Sequence, residues 1–276
     1  MTALTANQIK QFLGTQDDFD LELFVYRTLV ERGVPAQHGG TYIDSATGKA
    51  RQFDVRAMKD VPGGRGLLLW SIALAIECKS LSTENPLVIS RVPRQEIDSF
   101  HEVVESLMHP RTARAFRCEL PPTLYSRNKP VGKKTTQVRW DAKRGEFISS
   151  DAESYDKWGQ ALSSAHDLVQ QAFDSASNRG VQQFFTLILP LLVIPDQSLW
   201  VVDYDETGQR AEPQRVESAS LFVGREYPLG NQRGLKYTIS HLEITTQTGF
   251  LSFVTDLVSS NPVGIWERGF RQVIND

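Results

Sequence analysis

The sequence predicts a mixed α/β fold, a central β-sheet flanked by helices, on three observations. A helix-period apolar pattern opens the chain at 17–33, strands of period two and near-continuous apolar runs follow it, and helical patterns return at 151–176 and 249–260. At 276 residues the chain can bury a sizeable core, and no flexible linker divides it, so residues 1–276 read as one domain.

Each element has its own signal. In "DDFDLELFVYRTLVERG" (17–33), Leu21, Val25 and Leu29 with Phe24 recur at three-to-four spacing, aspartates crowd the start and Gly33 closes the helix. Tyr42 and Ile43 precede a turn carrying Asp44, Ser45 and Gly48. A return strand then alternates Phe53, Val55 and Ala57 with Gln52, Asp54 and Arg56. The turn "VPGGRG" (61–66) leads into the long strand "LLLWSIALAIECKS". A short strand is expected in 86–94 and a helix in "EIDSFHEVVESLM" (96–108). Loops with one hairpin are expected over 109–150, which is rich in proline, arginine and lysine. "DAESYDKWGQALSSAHDLVQQAFDSA" (151–176) reads as a long helix. Strands follow in "QQFFTLILPLLVI", "SLWVVDYD" and "KYTISHLEITT", and "GFLSFVTDLVSS" (249–260) is a closing helix.

Composition narrows the classes. The formal net charge is −3, so no global positive field advertises nucleic acid. Two cysteines, Cys78 and Cys118, make no disulfide framework and lack zinc-ligand spacing, which fits a reducing cytoplasm. The first residues lack the basic start and apolar core of a signal peptide. The longest apolar run, 184–194, is too short to cross a bilayer and contains Pro190, so no membrane partner is expected. The histidines (His38, His101, His109, His166, His241) show no HExxH-type spacing and read as structural or surface residues rather than catalytic ones. "TGKA" fails as a phosphate loop because Ile43 and Ala50 occupy its glycine and hydroxyl positions.

The chemistry concentrates at the tip of the long strand. Side chains alternate across a strand, so Glu77 and Lys79 share one face while Cys78 points the other way. The preceding strand brings Asp54 up on its polar side. Two carboxylates held together repel unless a cation neutralises them, and hard oxygen ligands suit Mg²⁺ or Mn²⁺. Such an ion activates water and stabilises phosphoryl charge, and a neighbouring ammonium assists.

Asp54 followed by Glu77-Cys78-Lys79 at the end of an apolar strand resembles the PD-(D/E)xK nuclease superfamily, which includes restriction endonucleases, Holliday-junction resolvases and Mrr-like enzymes. Phe53 stands where the literal motif has proline. The resemblance covers a motif-bearing core at 17–80, with 86–276 supplying the remaining helices and strands. It implies a restriction-endonuclease-like core with added C-terminal strands, and divalent-metal-dependent hydrolysis of phosphodiester bonds. DNA is the expected substrate, in restriction, phage defence or repair.

By the same resemblance Asp54, Glu77 and the Cys78 carbonyl hold the metal and Lys79 assists the attacking water. Glu22 of the first helix binds the metal directly or through water. The rival expectation is a nuclease-like binding or assembly module with a vestigial site, and nothing in the residues selects deoxyribose over ribose.

From Arg127 to Arg144 the basic residues Arg127, Lys129, Lys133, Lys134, Arg139, Lys143 and Arg144 face a single acid, Asp141. That stretch is the candidate phosphate-backbone contact, with Trp140 available to stack on an unpaired base. The expected partners are nucleic acid and, as an option, a second copy of the chain.

Overall fold

The computed structural model describes residues 3–16, 18–44, 47–62, 68–107, 112–118, 129–150, 152–174, 183–228 and 236–258. Helix α1 (Ala6–Gln16) starts on a reciprocal cap. The Thr5 hydroxyl accepts from the Gln8 N–H at 3.3 Å, and Gln8 Oε1 accepts from the Thr5 N–H at 2.9 Å. Helix α2 (Phe19–Glu31) buries Leu21, Val25, Thr28 and Leu29, and Gly33 ends it at φ +72°.

Strands β1 (Ala36–His38), β2 (Thr41–Ile43), β3 (Ala50–Gln52), β4 (Val55–Pro62) and β5 (Leu68–Cys78) follow. The return strand expected through 52–57 is therefore broken at Phe53-Asp54. β2 and β3 form a separate hairpin, and β4 pairs with β5 antiparallel.

Next come β6 (Leu87–Val92), a 3₁₀ turn at Glu96–Asp98, β7 (His101–Leu107), β8 (Thr112–Cys118), and a hairpin of β9 (Val131–Asp141) and β10 (Glu146–Ser150). The helix expected over 96–108 is thus corrected to a turn and a strand. Phe100, Val103, Val104 and Leu107 mimic a helical stripe, but the buried carboxylates of Glu102 and Glu105 are met across strands by Arg117 and Arg114. A helix would have left those acids without such partners.

Helix α3 (Ala152–Asp174) leads to β11 (Gln183–Ile194), β12 (Leu199–Asp203), β13 (Gln214–Arg215), β14 (Ser218–Pro228), β15 (Lys236–Thr246) and α4 (Gln247–Val258). Among the described residues, thirteen strands join one mixed sheet whose main path runs β1-β4-β5-β11-β15-β14-β9-β6-β12-β13. The α/β class with a central mixed sheet is therefore as the sequence predicts. β11 lies parallel to β5 along its whole length, after a crossover that contains α3.

On its other edge β11 pairs first with β7, ending at Leu187, and then with β15, beginning at Leu191. Pro190 sits where that edge changes partner, so its missing N–H costs no ladder bond there.

Three apolar clusters fill the interior. The α2/α4 side gathers Trp70, Ile72, Leu74, Ile76 and Cys78 of β5, whereas Ala73 and Ala75 face Leu162, Ala165 and Val169 of α3. A third cluster joins Leu192 and Ile194 to Leu87, Ile89, Leu221 and Ile244. No helix among the described residues is long and apolar enough to cross a membrane.

Candidate active site

The site is built at the carboxyl end of β5. The register pairs Val55 with Ile76 and Arg56 with Ala75, so one further step sets Asp54 across from Glu77. Both belong to the α3 face by alternation, as do Arg56 and Met58 on β4 and Ala73 and Ala75 on β5. Asp54 lies in a bend just before β4, and its Oδ2 accepts the Cys78 N–H at 2.7 Å. That bond ties the acid to the strand tip. The start of β4 and the end of β5 therefore meet with Asp54 opposite Glu77 and Lys79 just beyond it, while the Cys78 side chain is fully buried in the α2 core as a small hydrophobe.

Glu77 is 1% exposed. Its charge, after burial itself, helps push the Tyr42 phenol well above its ordinary range, and the Tyr42 hydroxyl donates to the Gln160 carbonyl at 3.4 Å. Tyr42 thus lies near Glu77 and ties this part of the chain to α3. Lys79 is half-buried and lines a small pocket with Leu81, Leu87, Thr135, Trp158, Leu192 and Ile244.

Arg56 anchors the helix over the site. Its guanidinium donates to the Ser164 hydroxyl at 3.0 Å, the Ser164 carbonyl at 3.2 Å and Asp167 at 2.7 Å, and lies over the Phe53 ring at 4.2 Å. Phe53 is in turn wedged against Gly40, whose φ is +156°; a Cβ there would stand 2.5 Å from the ring.

Glu22 is engaged on the other layer. Its carboxylate meets His38 Nε2 at 2.9 Å, and α2 packs on the Cys78 face of the sheet. A different acid of that helix reaches the strand tip: Asp18 Oδ1 accepts the Ser80 N–H at 2.5 Å. Asp18, Tyr42 and Arg56 were legible only as a helix-start aspartate, a strand aromatic and a polar strand residue.

The basic stretch divides into two places. Lys133 and Lys134 border a groove beside α3, whereas Lys143 and Arg144 occupy the turn of the β9–β10 hairpin, about 23 Å further along at roughly 3.3 Å per residue. At that tip Arg144 is shared between Asp141 (3.8 Å) and Glu146 (3.7 Å), and Arg139 is exposed next to an exposed edge-to-face pair, Trp140 and Phe147, with centroids 4.8 Å apart. Lys129 is exposed before β9, its carbonyl accepting from Arg94 at 3.4 Å. Arg127, His109 and the turn glycines Gly63 and Gly64 lie outside the described residues.

No protein-family model, curated protein or solved structure matches the chain.

Proposed function

We propose that the protein is a divalent-metal-dependent nuclease that hydrolyses phosphodiester bonds, with DNA the first substrate to test. The observation that carries this reading is the register across β4 and β5, which sets Asp54 opposite Glu77 with Lys79 two residues on along the same face. The connectivity supports it as well: helix α2, an antiparallel strand pair, then a crossover through α3 to a parallel β11 fits the core the resemblance implies.

The residues fit Mg²⁺ or Mn²⁺. Among the described residues no group of three His, Cys, Asp or Glu side chains is disposed to hold a metal; the donor set this reading requires is the Asp54 and Glu77 carboxylates with the Cys78 carbonyl. Mg²⁺ commonly takes one or two carboxylates and fills its remaining positions with water and substrate phosphate. When bound, such an ion supplies an acidified water and charge stabilisation at phosphorus. The protein's own part is to orient. Asp54 is fixed by the Cys78 N–H, Glu77 is held by strand burial, and the Lys79 ammonium screens negative charge and positions the nucleophile.

The test is cleavage of plasmid and single-stranded DNA with Mn²⁺ or Mg²⁺. Asp54→Ala, Glu77→Ala and Lys79→Ala are each expected to lose 100-fold or more, on the order of a removed electrostatic group in other active sites. Activity undiminished in Asp54→Ala and Lys79→Ala would falsify the proposal.

A second reading is a nuclease-like binding module without catalysis, favoured by the burial of Glu77. A melting temperature unmoved by excess Mn²⁺ selects it, because an ion that binds only the native state must raise stability.

A further inference from the structure

The groove beside α3 owes its shape to two strands that separate. β14 and β9 run parallel but pair only at Leu221 and Gly132. Gly132 permits that close approach, since a Cβ there would stand 2.7 Å from Ile89 Cγ2 and 3.0 Å from the Ser220 carbonyl oxygen. Immediately beyond the junction both strands lose register with their other neighbours, β9 between its partners Ser90 and Arg91 and β14 between Phe222 and Arg225. Such bulges re-aim side chains.

Here they expose Lys133 and Lys134 in succession and turn Arg225 outward, over a fork of about 560 Å³ walled by Trp158, Leu162 and Phe222. Lys133 is committed to the buried Asp98 at 2.7 Å. Lys134 and Arg225 have no carboxylate within salt-bridge distance among the described residues. Gly159 lies on the α3 wall, where an added Cβ would meet nothing within 4 Å. A glycine inside a helix is unfavourable relative to alanine, and no packing demands it here.

We infer that this fork binds a single strand of nucleic acid in preference to a duplex. Its volume is that of a small-molecule pocket, nucleotide-sized rather than duplex-wide. Lys134 and Arg225, the latter with its guanidinium over the Tyr227 ring at 5.2 Å, have no carboxylate partner among the described residues and suit successive phosphates, and the Trp158 and Phe222 wall suits unstacked bases. Thr135 and Trp158 line both the groove and the pocket that holds Lys79, so the groove abuts the candidate active site. The link to cleavage rests on the proposed function; the binding does not.

The test is fluorescence anisotropy of a labelled 12-nucleotide strand and of the same sequence as a blunt duplex, with the full chain in EDTA. The strand is expected to bind at least tenfold tighter. Lys134→Glu and Arg225→Glu should each weaken it about tenfold and flatten the salt dependence, and Lys10→Glu should not. Gly159→Leu should block the groove while leaving the fold intact, and Lys134→Gln with Arg225→Gln should repeat the ordering with smaller losses. Equal affinity for duplex and strand, or strand binding untouched by Gly159→Leu, overturns the inference. Strand binding without Mn²⁺-dependent cleavage sinks only the nuclease reading; Mn²⁺-dependent cleavage alongside strand binding indifferent to these groove variants sinks only this one.

Discussion

At the scale of single residues, Asp54 depends on a neighbour that never touches a substrate. Gly40 accepts the Phe53 ring against its bare Cα, and Phe53 immediately precedes the acid. Gly40→Ala would drive a methyl group into that ring and push Phe53 aside. Such overpacking costs about 1–3 kcal/mol. The displacement falls next to Asp54, so the variant is expected to lose the proposed nuclease activity beyond what its lowered urea midpoint explains. Equal activity per folded molecule would show that Asp54 is held by the Cys78 N–H alone. Lys79 allows a complementary comparison. Lys79→Arg keeps the charge but replaces a compact ammonium with a planar fork, so a site that needs a point charge beside water should recover little activity.

At the scale of elements, the strand tip was legible and its roof was not. The alternation in "ECK" is enough to put Glu77 and Lys79 on one face, because period-two geometry is local, whereas setting Asp54 opposite Glu77 needed the register that the long turn left open. What covers that face is set by α3, some 75 residues later in the chain, and no local pattern announces it. The same reason explains why Arg56, read as the polar side of a strand, is 8% exposed and bonded to Ser164 and Asp167. β7 was misread because four apolar side chains at helical spacing outvoted two buried glutamates whose arginine partners lie on another strand. β14 drew no expectation because bulges interrupt its alternation, while α1 did carry a signal, the Thr5–Gln8 capping box. The burial of Arg56 has a measurable consequence. Arg56→Ala removes three hydrogen bonds that dock α3 on the sheet and leaves Ser164 and Asp167 without them, at an expected cost of about 2–4 kcal/mol in urea unfolding. A loss below about 1 kcal/mol would mean that α3 is held by its apolar face alone.

At the scale of the whole molecule, β11 threads all three apolar clusters, giving Leu191 and Val193 to one, Ile188 to the second and Leu192 and Ile194 to the third. Shared membership of one strand couples the layers, and unfolding is expected as a single transition. Its pH dependence follows from histidines buried in that shared interior. His241 is pushed down to about 3, mainly by burial and then by the Arg94 guanidinium 2.8 Å away. His101, 5.0 Å from it between ring centroids, is lowered by burial and by His241 itself, and His166 is lowered by burial. All three are therefore neutral in the folded chain over a range where an unfolded histidine, with its ordinary value of 6.5, takes up a proton. Below pH 6.5 the unfolded state binds more protons than the native one, so stability must fall as pH falls; above it these groups contribute no slope. Each histidine adds up to about 1.4 kcal/mol per pH unit in that window. Urea titrations between pH 7.5 and 5, before most carboxylates begin to protonate, should thus show a declining midpoint. His241→Gln can still face Arg94 but cannot titrate, and should make the slope shallower. A midpoint flat from 7.5 to 5 would mean that these rings reach solvent and charge in the native state.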